Sequence, residues 1–220
     1  EQVESSHLGH IAVVDASGTL LYAFGDPHRM TYARSSMKPL QAIPVVETGA
    51  ADHYGFEPAD LSLCCASHSG EPRHRTRALS MLERAGQPEA TLQCGTHVPR
   101  HEESYKELIR QGKPLTPVFS NCSGKHSGMI ATATYMGEEV ATYHLPEHPV
   151  QQRILDVVED ITGYPKEKIN LGTDGCGVPV HQLPLANFAW AFAKLVRPEV
   201  IAKPERRKAV ERITEAMTAH

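Results

Sequence analysis

Four short strings in this sequence carry residue types that do chemistry. In Ser35-Ser36-Met37-Lys38 a serine and a lysine stand three positions apart. On a helix those positions share a face, so the lysine amine can reach the serine hydroxyl. A lysine kept neutral by burial or by nearby positive charge can take the serine proton and leave a nucleophile for acyl transfer. A helix N-terminus adds N–H groups and a field that favours developing negative charge. The spacing is common, and its plain alternative is an N-cap serine beside a surface lysine.

The second string, Asn121-Cys122-Ser123-Gly124-Lys125-His126, opens a helix with Cys122, Lys125 and His126 on one face. The third, Gly172-Thr173-Asp174-Gly175-Cys176-Gly177, reads as a strand ending in a glycine-rich turn that carries Asp174 and Cys176. Two cysteines on separate elements could share a zinc with one further ligand and an open position. General ligand preference selects His126 as that ligand, since a lysine must first lose its proton. The alternative is a pair of small buried thiols. In the fourth string, Cys64-Cys65-Ala66-Ser67-His68-Ser69-Gly70-Glu71, serine, histidine and glutamate precede a helix. They form either a second polar centre or, through Ser67 or Ser69, a helix cap.

These strings need elements to hold them. Ile11 to Val14 and Leu20 to Phe24 read as a hairpin across Asp15-Ala16-Ser17-Gly18. Tyr32-Ala33-Arg34 reads as extended and leads into a helix with Pro39 in its first turn and the stripe Leu40, Ile43, Val46. Helices are expected over 71–85, 102–110, 123–136, 149–161, 187–196 and 204–220, with strands at 90–94 and 169–172. The expected fold class is α+β, an antiparallel sheet covered by helices in a single domain over residues 1–220. The last helix ends without a glycine, asparagine or proline cap, and the chain reads as C-terminally incomplete.

Bulk composition narrows the function classes. With 220 residues, 40% hydrophobic and 22% charged, the chain has the make-up of a globular protein. The net charge is −4, and the densest basic group (Lys203, Arg206, Arg207, Lys208, Arg212) is interleaved with glutamates, which predicts a solvated helix face and no nucleic-acid partner. There is no membrane-spanning run, and the polar stretch Glu1 to His7 shows no signal-peptide pattern. Five cysteines at low density predict a reducing compartment. Most of the thirteen histidines are expected in surface or loop positions.

Taken together, the strings above with Val3-Glu4-Ser5-Ser6-His7, Pro39-Leu40-Gln41 and Cys94-Gly95-Thr96-His97 occur in an order that resembles the Rhizobium etli type (class 3, asparaginase II) L-asparaginases. The resemblance runs from the first residues to about Val180. It implies a fold like the serine β-lactamases and penicillin-binding proteins, hydrolysis of L-asparagine to L-aspartate and ammonia, and a cytoplasmic homodimer with zinc as cofactor. It implies that Ser35 and Lys38 form one Ser-Lys pair and that Ser67 is the serine of a second. It gives Cys122, Lys125 and Cys176 as metal ligands, displacing His126, and Arg34, His126 and Asp174 as pocket residues. Members of that family continue beyond this length, and the lysine of the second pair lies in the continuation.

The expected mechanism has Ser35, deprotonated by Lys38, attack the side-chain amide carbon, with Ser67 relaying protons or polarising the amide. Asp174 and Arg34 would hold the substrate's α-amino and carboxylate groups. A zinc-bound water is the alternative nucleophile. A β-lactamase-like acyl transferase would use the same pair, although neither Ser-Asp-Asn nor Lys-Thr-Gly is present. A non-catalytic, zinc-stabilised binding module is the rival of a different class.

Overall fold

The computed structural model describes residues 2–220; Glu1, first of the polar stretch noted above, lies outside them. Strands β1 (Ile11–Val14) and β2 (Leu20–Phe24) form the expected antiparallel hairpin. Its turn is held by Asp15, whose Oδ1 accepts from the Ser17 and Thr19 N–H groups at 2.9 Å each and from the Ser17 hydroxyl at 2.6 Å. A second antiparallel sheet has β3 (Met30–Tyr32) and β4 (Asn170–Thr173) on either side of a central β5 (Pro179–Pro184). Helices accompany both sheets, so the fold is mixed α+β with small antiparallel sheets.

The helices are α1 (Lys38–Glu47), α2 (Ala50–His53), α3 (Pro58–Cys65), α4 (Pro72–Arg84), α5 (Glu102–Gln111), α6 (Ser123–Met136), α7 (Pro149–Thr162), α8 (Leu185–Val196) and α9 (Pro204–Ala219). Helix α6 is the buried axis of the fold. Every residue from Ser123 to Ala133 is buried, and α1, α3, α4 and α7 pack around it. Its small residues permit that approach. A β-carbon on Gly124 would stand 2.5 Å from Leu63 Cγ and 2.7 Å from the Leu63 carbonyl oxygen, and one on Gly128 2.8 Å from Cys64 Sγ. Gly124→Ala should therefore lower stability by about 2 kcal/mol, the overpacking penalty exceeding the gain in helix propensity. Urea midpoints of the two proteins check this.

Four sequence expectations are corrected. Strand 90–94 does not form: Glu89–Thr91 is one 3-10 turn, and the Thr91 and Leu92 N–H groups bond back to Pro88 and Glu89 instead of to a neighbouring strand. Tyr32-Ala33-Arg34 is not extended throughout, because Ala33 is helical and Arg34 has φ +53°. The helix after Glu71 carries no side-chain cap from Ser67 or Ser69; the Ser69 hydroxyl donates to Glu71 Oε1 at 2.9 Å. The basic group on α9 is not wholly solvated. Arg206 is buried, with its guanidinium paired to Glu47 at 2.7 and 3.0 Å and to Asp160 at 2.8 Å, which ties α9 to α1 and α7. Central β5 was not foreseen. Among the described residues no helix is long and apolar enough to cross a membrane.

Candidate active site

The four strings converge. Strand β3 ends at Tyr32, and the left-handed Arg34 turns the chain into a 3-10 segment, Arg34–Met37, that feeds α1. A non-glycine residue at positive φ is a strained position of the kind that collects at functional sites. Lys38 is the first residue of α1, and Pro39 follows in the first turn as expected, where its missing N–H is not needed. Helix α3 stops at Cys65, and the extended Ala66 delivers Ser67. Asn121 and Cys122 precede α6, while Asp174 to Gly177 form the turn between β4 and β5.

Lys38 is 1% exposed and meets the fourth string, not its own. Its Nζ lies 2.7 Å from Ala66 O, 2.9 Å from Ser67 Oγ and 3.2 Å from Asn121 O. Among the described residues it forms no hydrogen bond with Ser35, which is exposed in the 3-10 turn and has no side-chain hydrogen bond. An i, i+3 pairing needs an α-helical register at Ser35, and the turn at Arg34 removes it. Two of the three acceptors are carbonyls. A neutral amine has two N–H donors and one lone pair, so the carbonyls take the donors and the lone pair is left for the Ser67 hydroxyl. Burial pushes the Lys38 ammonium below its ordinary range; the Cys122 sulfur opposes this, and the Lys125 charge reinforces it.

Beside Lys38 lies a cluster of sulfur and charge. Lys125 Nζ donates to Cys176 Sγ at 3.3 Å, and Cys176 Sγ donates to Asp174 Oδ2 at 3.2 Å. Arg34 Nη2 sits 3.1 Å from Asp174 Oδ1, as an ion pair without the alignment of a hydrogen bond. The Cys122 thiol is brought down to about 6, foremost by the neighbouring Cys176 sulfur; burial opposes, and Lys125 and Lys38 assist. The Cys122 sulfur, with burial, pushes Cys176 up to about 12. Burial raises the Asp174 carboxyl, but Cys176, Lys125 and Arg34 outweigh it and hold it below the usual range.

This set suits a soft divalent metal. One ligand atom each from Cys122, Asp174 and Cys176 lies within 4.8 Å of the others. Tetrahedral zinc, with Zn–S of about 2.3 Å, wants neighbouring ligand atoms roughly 3.3–3.8 Å apart, so a small contraction closes the set. Lys125 is within reach of the same centre. His126 is fully buried behind it, with Nδ1 bonded to the Tyr143 hydroxyl and Nε2 unpartnered. All five cysteines are free thiols.

Sequence reasoning assigned no roles to Asn121, Ser123, His97 or Tyr143. The first two lie inside a quoted string and His97 inside another, but Tyr143 carries no local signal at all. Four histidines, His68, His126, His148 and His181, are buried. Burial brings His68 down to about 3 and His181 to about 4, from an ordinary 6.5. Below pH 6.5 the unfolded chain binds protons that these two folded-state imidazoles refuse, so stability falls with falling pH until about 4 and 3 are passed. Each histidine contributes a slope of up to about 1.4 kcal/mol per pH unit. Urea unfolding at pH 7 and pH 5 should show the loss, and a flat profile would contradict the burial assigned to both rings.

The profile of the L-asparaginase II family matches residues 1–220, and the chain belongs to that family. No curated protein matches it. Membership supports an asparaginase-type amidohydrolase acting on a small molecule.

Proposed function

We propose that the chain hydrolyses L-asparagine to L-aspartate and ammonia by acyl transfer, with Ser67 as nucleophile and Lys38 as its base. The observation that carries this reading is the single position of Lys38 Nζ, 2.9 Å from Ser67 Oγ and bonded to two carbonyls. Neutral Lys38 takes the Ser67 proton as Oγ attacks the side-chain amide carbon. The lysine returns that proton to the leaving nitrogen, and ammonia departs. Water, deprotonated by the same amine, then attacks the serine ester, and the amine passes that proton to Ser67 Oγ as aspartate leaves. Arg34 and Asp174 are the charged pair for the substrate's α-carboxylate and α-ammonium. Ser35, the nucleophile expected from spacing, becomes a pocket residue beside Arg34.

Cys122 and Cys176 would hold zinc, with Lys125 or Asp174 as the third ligand and His126 behind them. A bound zinc would supply Lewis-acid polarisation of a nearby oxygen. The same reading takes the fold as one domain related to the serine β-lactamases, in a cytoplasmic homodimer with no nucleic-acid or membrane partner. Ammonia release from L-asparagine and L-glutamine, with and without added zinc, tests the activity. Release above the uncatalysed background supports it, and none under any zinc condition would sink it.

A further inference from the structure

Cys122 sits in the turn that opens α6, its carbonyl accepting from the His126 N–H at 3.0 Å. It precedes α6 with φ −104° and ψ −2°, and its N–H reaches Ser120 Oγ only at 3.4 Å. Two imidazoles bond to residues flanking Cys122. On one side, the Asn121 N–H donates to His97 Nε2 at 2.7 Å, while His97 Nδ1 lies 2.9 Å from Val98 O. A carbonyl only accepts, so the ring is neutral, with its proton on Nδ1. On the other side, the Gly70 N–H donates to His68 Nδ1 at 3.1 Å, which leaves the Nε2 proton for Ser123 Oγ at 2.8 Å. The Ser123 hydroxyl then donates to Val118 O at 3.1 Å. The rings are locked in opposite tautomers, and together they pin the residues before and after Cys122.

We propose that His97 is a positioning residue for the metal-holding turn, its Nε2 lone pair fixing the Asn121 N–H and thereby the placement of Cys122 Sγ toward Cys176. The inference rests on the metal reading of the site in the preceding section. The bond to His97 is shorter than the other backbone hydrogen bonds of Asn121 and Cys122 named here, which run from 3.0 to 3.4 Å. Asn121 also ties the turn to the serine site, because its carbonyl accepts from Lys38 Nζ and from the His68 N–H at 3.3 Å. Its Oδ1 lies 3.2 Å from Cys122 Sγ. A shift of Asn121 therefore moves the thiol and the lysine acceptor together. His68 is buried among core groups, whereas His97 is half-buried, so its replacement separates positioning from folding.

The test is cobalt(II) titration of the full chain, followed by thiolate-to-cobalt absorbance, for wild type, His97→Ala and His97→Gln. Glutamine places an amide oxygen where Nε2 stood and can still accept from Asn121. His97→Ala should weaken cobalt affinity about 10- to 100-fold, the usual loss for a group that orients a ligand. His97→Gln should recover most of it, with thermal midpoints of all three close together. Equal affinity in wild type and His97→Ala, equal loss in both variants, or a wild type that binds no cobalt would each overturn the inference. If His97→Ala does not fold, the imidazole nitrogen shifts of the wild type decide: a proton on Nδ1 supports the assignment and one on Nε2 overturns it. Because the readout is cobalt binding, a protein that releases no ammonia but follows this pattern refutes the asparaginase reading and leaves the His97 inference standing.

Discussion

Lys38→Met should reduce kcat/KM for L-asparagine by about 10³- to 10⁴-fold, the upper range for losing a positioned general base. Methionine keeps most of the buried stem but cannot take the Ser67 proton. Lys38→Arg should be no better, because guanidinium stays protonated. Ser67→Ala should fall equally far, and the Lys38→Met/Ser67→Ala double variant no further, since the two act as a unit. Ser35→Ala should lose much less, and mainly in KM. The methionine also strands the Ala66 and Asn121 carbonyls, costing about 1–3 kcal/mol each where no water enters. Thermal midpoints must therefore accompany the kinetics, so that lost folding is not counted as lost chemistry.

Cys122→Ser and Cys176→Ser should each lower zinc affinity by about 100-fold or more, since a hydroxyl is a far poorer zinc ligand than a thiolate. The pH dependence has a definite sign. Cys122 is brought down and its neighbour Cys176 pushed up, so near neutral pH the free protein keeps a proton on Cys176. Zinc must displace that thiol proton, so affinity should rise with pH by about tenfold per unit around neutrality. With Asp174 as third ligand no further proton is lost, because its carboxyl is held below the usual range, and one proton is released per zinc. Zinc titrations in buffers of different protonation enthalpy count those protons directly.

Much of this site could be read from residue types and local spacing. Helix α6 begins and ends at the expected residues, and Gly137, left-handed at φ +69°, stops it. The turn at Asp174-Gly175 breaks β4 as its glycines predicted. What failed depended on contacts distant in sequence. Local spacing pairs Lys38 with Ser35, three residues away, yet its partner Ser67 is 29 residues on, just beyond α3, whose placement is set by packing against α6. Strand β5 was hidden because Pro179 and Pro184 bound it and it is buried along nearly its whole length, so no alternation marks it. Arg206 looked like one cation in a mixed-charge helix; only the meeting of α9 with α1 and α7 supplies Glu47 and Asp160.

The most direct measurement is acid quench of the protein within milliseconds of mixing with L-asparagine, followed by peptide mass spectrometry for an aspartyl ester. Ser67 as nucleophile requires the added mass on the peptide containing Ser67, at a level that decays as aspartate appears, and none after Lys38→Met. An ester on Ser35 instead, or turnover with no ester on either serine, would contradict it.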